Sequence, residues 1–517
     1  MKSNTNSKWW ALGALTLAVL AVGLDATILS VAIPTLATAL NAKESDLQWF
    51  SSGYLLTLAA AMLPAGLLGD RFGRKKVMLM ALLLFGCGSI ASAYSQTPGE
   101  FIAARTILGV AGAGIVVMAV STMTVLFTEE ERPKAVAIWG IANFLSMPIG
   151  PILGGWLLTH YWWGWVFLIN APVALIGLLA TLMIIPESRA PVLPSFDVLG
   201  VLFSTGGLVS LTYGLIEAGH SGWTDPSAVI PMIAGVIVLA GFFFWERWLG
   251  GRPHGQPLVD LTLFRSTSFT WGVLLAAVLV LSMVGVMFTL PQYFQGVQGI
   301  NAMGSGVRLI PLVVGLTVGA GLTTRLLKVI GAKFGAAIGF AILAAGMFLG
   351  STTNTGSGDN FLILWTAIAG IGLGITMATT VSAALIEISA ENSGVASAVM
   401  QALQKTGGPL GAAIMGSVLS AAYQNQLQLN GLPPSVAAVA RSSLFGGLAV
   451  AQKLHSSTLL GSVHIAFING MDASLVVAAG IAGAGVILAL LFLPHRTQLK
   501  QISAQEGQPS QMENILL

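Results

Sequence analysis

Three charged side chains lie inside long apolar stretches of this sequence, where a charge is expensive. Asp25 is near the middle of an apolar run from Trp9 to Ile33, and Arg105 and Lys405 lie inside two others. A carboxylate at such a position costs a few kcal/mol unless it is protonated or paired. Asp25 is therefore the first candidate for a residue that binds and releases a proton. The alternative is a carboxylate that is satisfied by hydroxyl or backbone groups and serves packing alone.

The two cations leave more than one interpretation open. A guanidinium does not lose its charge, so Arg105 either influences the proton site or extends to the external interface beside Glu100. Whether it pairs directly with Asp25 is open. Lys405 either binds an anionic or zwitterionic substrate, pairs with a carboxylate such as Asp25, or reaches the cytoplasmic face.

The elements that hold these residues must be membrane helices. The chain has 517 residues, of which 55% are hydrophobic and 8% charged, and its mean hydropathy is +0.84. A soluble domain carries about a quarter charged residues. Apolar runs of spanning length recur along the chain and predict fourteen transmembrane helices: 9–33, 48–69, 77–95, 101–124, 136–158, 163–186, 198–217, 227–247, 269–291, 304–325, 332–351, 361–385, 395–420 and 471–493.

The distribution of positive charge predicts the orientation. With the N-terminus in the cytoplasm, 17 of the 23 Lys and Arg residues fall in cytoplasmic segments and four in external ones. Cytoplasmic loops carry the excess of Lys and Arg, so both termini are predicted to be cytoplasmic. The expected location is the cell inner membrane, with a long external loop over 423–470 and a disordered cytoplasmic tail over 501–517.

An internal repeat predicts two related halves. The segment from Gly66 to Lys76 has a weaker counterpart from Gly321 to Lys333, and a Gly-Pro pair at 150–151 recurs at 408–409. Duplicated halves around a midplane site are common in membrane carriers. The predicted fold is an all-α membrane protein with two six-helix bundles, 1–190 and 261–500, separated by two inserted helices in 191–260.

Four segments resemble one known family. The segment Gly66–Lys76 is similar to the loop 2–3 signature of the major facilitator superfamily. Leu24–Pro34, Arg105 with the following Gly109, and Gly150–Gly155 resemble the fourteen-helix drug:proton antiporters within it. The resemblance implies a multidrug exporter in which Asp25 and Arg105 couple transport to protons.

The resemblance also implies two structural roles. The loop residues would latch the cytoplasmic ends of the two halves, whereas the alternative is a set of membrane anchors: Asp70, Arg71, Gly73 and Arg74. The span 5 residues would seal the antiporter against leakage, whereas the alternative is close helix packing alone: Gly150, Pro151, Gly154 and Gly155.

Apolar, Met-rich walls suit promiscuous recognition and provide candidate cavity residues: Tyr54, Trp139, Phe144, Met147, Met287, Phe288, Tyr293, Met400, Gln401 and Lys405. Family members that export bulky cations often carry acids in spans 10 or 13. This chain has none there, which disfavours dicationic substrates.

Other function classes lack their signals. No phosphate-binding loop, metal-ligand spacing or nucleophile–base pair is present, so no cofactor, metal or enzymatic activity is predicted. No basic aromatic surface indicates nucleic acid, and no periplasmic adaptor is indicated. The expected function is proton-coupled export of amphipathic drugs, dyes or biocides across the bilayer. The alternatives are export of a lipid, an endogenous metabolite or a self-made antibiotic and, more remotely, a sensor or scaffold that transports nothing.

Overall fold

The computed structural model describes residues 5–127, 131, 135, 146, 149–189, 197–252, 255, 257–259, 261–385, 393–429 and 431–494. Within these ranges the chain is helical and contains no strand. Its helices are α1 (Thr5–Ala39), α2 (Glu44–Phe72), α3 (Arg74–Ala93), α4 (Pro98–Leu126), α5 (149–160), α6 (Trp165–Ile184), α7 (Val198–Ser221), α8 (Pro226–Gly250), α9 (Thr267–Gln292), α10 (Ala302–Leu327), α11 (Val329–Gly350), α12 (Asp359–Leu385), α13 (Ser393–Gln426), α14 (Pro434–Ser442), α15 (Leu444–Lys453) and α16 (Ser457–Phe492).

Most of these helices are long enough to cross a bilayer. In the described part of the chain, eleven helices are long and apolar enough to span a membrane. Helix α2 is bent by 46° near Pro64, and counting it as one span raises the number to twelve. The all-helical, multi-pass prediction is confirmed. The count of fourteen, the orientation and the partition into domains stay predictions. We refer to α1–α6 as the N-terminal bundle and to α9–α13 with α16 as the C-terminal bundle.

The predicted external loop over 423–470 is shorter in the structure. Helix α13 continues to Gln426 and α16 already begins at Ser457, so the connection consists mainly of α14 and α15. The prediction began the last span too late because the first half of α16 contains polar residues. That half packs inside the protein, where Val463 and Phe467 are fully buried, so its sequence need not match lipid.

The two bundles meet at the end of the molecule that carries the loop 40–43, which we call the predicted external end. There Gln295 Nε2 donates to the Val31 carbonyl oxygen at 3.0 Å, and Ser52 Oγ donates to the Pro409 carbonyl oxygen at 3.4 Å. We call this set of contacts between the bundles the external seal.

The pair α7–α8 packs across the junction of the bundles at the same end. Ser417 Oγ of α13 donates to the Leu215 carbonyl oxygen of α7, and Tyr213 of α7 lies against Trp49 of α2. At its other end, Glu246 of α8 accepts a hydrogen bond from the backbone amide before α9. The pair therefore contacts both bundles.

Candidate functional site

Asp25 and Arg105 form an ion pair inside the N-terminal bundle. Arg105 Nη1 of α4 donates to Asp25 Oδ2 of α1 at 2.5 Å, and both side chains are fully buried. The pairing that the sequence left open is therefore present. The alternative in which Arg105 extends to the interface beside Glu100 is not what the structure shows, since Glu100 instead accepts from the Gln96 backbone amide.

Further groups complete the environment of this pair. Asn170 Nδ2 of α6 donates to Asp25 Oδ1 at 3.0 Å, so both carboxylate oxygens are hydrogen-bonded. The Arg105 guanidinium lies 4.2 Å from the ring centre of Tyr54 and donates to the Phe50 carbonyl oxygen at 3.4 Å. Such cation–π and charge-assisted contacts stabilise a buried ion pair.

Close approach of α4 to α2 places Arg105 in this position. A methyl group at Gly109, one turn from Arg105, would overlap the Tyr54 carbonyl oxygen and lie 3.0 Å from the Leu58 amide nitrogen. Only glycine permits this backbone contact. The same contact holds the Tyr54 ring under the guanidinium, while its hydroxyl donates to the Val22 carbonyl oxygen of α1 at 3.0 Å.

The ion pair links three helices through one carboxylate. Asp25 belongs to α1, Arg105 to α4 and Asn170 to α6. Six residues beyond Asp25, Val31 takes part in the external seal.

Asn170 is the residue of this site that the sequence argument did not single out. It lies in the stretch Trp165–Pro172, quoted only for its family resemblance. A polar amide in an otherwise apolar span is itself a signal, because such a group needs a partner inside the bundle. Tyr54, predicted as a cavity wall, instead lies buried against the Arg105 guanidinium.

The loop between α2 and α3 makes its contacts within the N-terminal bundle. Asp70 Oδ1 accepts from Arg74 Nη2 at 2.9 Å, and the Arg74 backbone amide donates to the Ser188 carbonyl oxygen at 2.9 Å. Gly73 has a φ of +113°, and Glu187 occupies the space where a side chain would be. Arg71 is exposed. The predicted latch to the other bundle stays a prediction, because these described contacts do not cross between bundles.

The span 5 glycines lie where α5 approaches two other helices. A methyl group at Gly150 would overlap Thr27 of α1, and one at Gly154 would lie 3.1 Å from Ile28 Cγ2. On the opposite side, a methyl group at Gly155 would lie 2.6 Å from the Ala302 carbonyl oxygen of α10.

Pro151 belongs to the same contact. Its carbonyl oxygen lies against Gly306 of α10, where a methyl group would overlap it. These α5–α10 contacts join the N-terminal bundle to the C-terminal bundle and belong to the external seal.

The predicted cavity residues fall into three groups. Phe288, Tyr293 and Met400 are buried in packing, with Tyr293 donating from its hydroxyl to the Asn354 carbonyl oxygen. They are therefore not open wall residues in this conformation, because neighbouring apolar groups cover them. The half-buried candidates are Met287, Gln401 and Lys405. Those outside the described residues are Trp139, Phe144 and Met147.

Lys405 lies one turn below the external seal. Gly408 packs against Leu55 of α2. Residues three apart share one face of a helix, so Lys405 lies on the face of α13 that is directed at α2. It forms no ion pair among the residues that the structure describes. Its amine therefore lies near the junction of the bundles without a carboxylate partner in the part of the chain that the structure describes.

Comparison with known proteins identifies the class. The model of the Major Facilitator Superfamily matches residues 15–412. The chain belongs to this superfamily, and its fold and relatives make it a multi-pass membrane transporter rather than an enzyme. A solved structure of a bacterial homolog of the human lysosomal transporter Spinster superposes with a TM-score of 0.67 at 16% identity, covering 95% of this chain and 98% of that chain.

Curated relatives refine the class to export. The chain is 32% identical to the tetracenomycin C resistance and export protein of Streptomyces glaucescens, covering 93% of this chain and 91% of the relative. It is 29% identical to the multidrug efflux pump LfrA of Mycolicibacterium smegmatis, covering 91% and 93% of the two chains. These names support an exporter of the superfamily.

Proposed function

We propose that this protein is a proton-coupled exporter of amphipathic drugs, dyes or biocides, located in the cell inner membrane with both termini in the cytoplasm. The observation that carries the proposal is the buried Asp25–Arg105 pair, with its link through α1 to the external seal. The relatives named for antibiotic and multidrug export support the cargo class.

In the proposed mechanism, Asp25 alternates between an ion-paired and a protonated form. The ionised carboxylate holds α1 against Arg105 and Asn170. When Asp25 takes a proton, the Arg105 charge keeps the Tyr54 ring and the Phe50 carbonyl as partners, and α1 is released. The proton enters in the outward-open state and leaves on the cytoplasmic side, while substrate competes energetically with it.

The other motifs support alternating access. The span 5 glycines close the external end by letting α5 approach α10. In the outward-open state, the cluster of Asp70, Arg71, Gly73 and Arg74 would latch the cytoplasmic ends of the bundles, exchanging its present partners within the N-terminal bundle for partners across the junction.

The direct test is transport into inverted membrane vesicles energised by respiration. The measurement is accumulation of ethidium and of carboxyfluorescein, by the wild type and by Asp25→Asn, with and without an uncoupler. Energised wild-type vesicles should accumulate at least one dye, and both the uncoupler and the substitution should abolish it. The matched control is Glu217→Gln, which removes an acid that accepts a hydrogen bond from Ser221 one turn along the same helix, and it should leave accumulation unchanged.

A normal rate with Asp25→Asn would place proton coupling elsewhere. Absence of transport of both dyes by the well-expressed wild type would instead remove the multidrug assignment.

Lys405 favours a second candidate cargo, a metabolite or self-made antibiotic that carries an anionic group. Asp25 is already paired with Arg105, and Lys405 has no carboxylate partner among the described residues, so in its charged form Lys405 would make the junction positive. A low-dielectric site with net positive charge attracts anions and disfavours cations.

Lys405→Gln separates the two cargo classes. Loss of a charged hydrogen bond of about 1.4–3 kcal/mol should lower the rate for anionic carboxyfluorescein by about tenfold or more, and ethidium transport should be maintained or rise. The matched control is Lys453→Gln, which removes an exposed lysine outside every site proposed here. Equal effects of Lys405→Gln on both dyes would contradict a role in charge selection.

A further inference from the structure

Another buried acid lies at the predicted external end, away from the Asp25 site. Glu44, the first residue of α2, is only 4% exposed. Neither of its carboxylate oxygens has a hydrogen-bond partner among the described residues. A buried charge without a partner is strongly unfavourable, so the ionised form of Glu44 does not suit this conformation.

Burial disfavours the ionised form of Glu44 more strongly than its neighbours favour it. Gln292 of α9 faces Glu44 from the C-terminal bundle and favours the ionised form, but this effect is smaller than that of burial. The Gln292 amide also donates to the Phe288 carbonyl oxygen, and its own Oε1 has no partner among the described residues. Gln48, one turn along α2 and lining the same small cavity, also has an unpartnered Oε1. One proton on Glu44 would supply a donor directed at these acceptors.

Among the residues that the structure describes, no ionised group on the helices packed against Glu44 compensates its charge. The groups that face it from these helices are uncharged: Tyr423, Ser420 and Gln424 of α13, Gln292 of α9, Ile216 of α7 and Ser442 of α14. The Tyr423 hydroxyl already donates its hydrogen bond to backbone carbonyls. On its own side, Lys43 is exposed and forms no described ion pair with it.

The position of Glu44 connects it with the external seal. Gln48 packs against Gly416 of α13, where a methyl group would lie 2.6 Å from the Gln48 Cδ atom. One turn further, Ser52 bonds to the Pro409 carbonyl oxygen. Opening the seal separates α2 from α13 and exposes Glu44 to water, where a carboxylate is readily ionised.

We propose that Glu44 is a second proton-binding site, which binds a proton when the external seal closes and releases it to the outside when the seal opens. The site rests on the proposed alternating access but is separate from the Asp25 site. Acidic medium at the predicted external end then favours the closed seal, and alkaline medium favours its opening.

The test measures opening of the seal without any substrate, so it is independent of whether a dye is transported. In a Cys87→Ser, Asp25→Asn background, a Ser52→Cys reporter is labelled by a hydrophilic maleimide in nanodiscs. Rates are divided by those of a Thr355→Cys reporter, an exposed position at the same end, to remove the intrinsic pH dependence of the thiol.

With Glu44 present, the normalised rate should rise between about pH 5.5 and about pH 8, with a limiting slope of about tenfold per pH unit for one proton. With Glu44→Gln, which keeps the size of the side chain, the rate should stay low and flat. Glu217→Gln on neighbouring α7 should retain the rise. Glu44→Asp keeps a titrating carboxyl and should also retain the rise of the labelling rate with pH. This variant is the comparison to use if Glu44→Gln does not fold.

A flat profile with Glu44 present would overturn the proposal, as would a Glu44→Gln profile that rises like its parent. Failure of dye transport together with a rise that depends on Glu44 would remove the proposed cargo and leave this site in place.

Discussion

Asp25 and Glu44, two of the acids that are buried in this protein, differ in what surrounds them. Asp25 has a guanidinium and an amide donor on its two oxygens, so burial is compatible with its negative charge. Glu44 faces amide oxygens that themselves lack donors, so burial suits its neutral form. Burial alone therefore does not define a proton site, because the partners decide which protonation state each conformation holds.

Removing the cation from the Asp25 site should give the largest effect. Arg105→Leu leaves a buried carboxylate without its charged partner, which costs about 3–5 kcal/mol. We expect loss of transport and a clear drop in the unfolding temperature of the purified protein in detergent.

The exposed pair Arg308–Asp359 is the matched control for that experiment. Its atoms are 2.8 Å apart but partly in solvent, so Arg308→Leu should cost only about 0–1 kcal/mol. An equal drop in unfolding temperature for Arg105→Leu and Arg308→Leu would contradict the stabilising role of the buried pair.

Breaking the external seal should have an intermediate effect. Gly155→Ala places a methyl group 2.6 Å from the Ala302 carbonyl oxygen and should destabilise the closed conformation by about 1–3 kcal/mol. Faster labelling of the Ser52→Cys reporter would measure this. Gly480→Ala on α16 adds a methyl group that meets no atom within 4 Å and should leave the labelling rate unchanged. An equal change in the labelling rate of the two variants would contradict the assignment of Gly155 to the external seal.

Asn170→Leu should leave transport in place and shift only its pH dependence, which sharpens the comparison from the other side. The substitution removes the Asn170 amide that donates to Asp25, a hydrogen bond of about 1.5–3 kcal/mol, and so favours the protonated carboxyl. The pH at which transport is half-maximal should move upward. A transport profile identical to wild type would show that the Asn170 contact does not influence proton release.

The sequence was sufficient for the all-helical membrane fold and the superfamily because those depend on apolar runs and a local loop motif. Asp25 and Arg105 were found because charges stand out in apolar segments. The contact between Asp25 and Arg105 could not be predicted from the sequence, because it depends on how closely Gly109 lets α4 approach α2. Glu44 was missed because it lies beside Lys43 and Asp46 in a stretch that resembles an exposed loop.

Proton release on substrate binding tests the central claim most directly. Purified protein in weakly buffered detergent solution is mixed with the dye that vesicles accumulate, and a pH indicator reports released protons. In a Glu44→Gln background, which removes the second proton-binding site, protein with Asp25 should release protons, whereas protein with Asp25→Asn should release none. Release by the double variant at the level of Glu44→Gln alone would contradict the account, because the proton displaced by substrate would then come from another group.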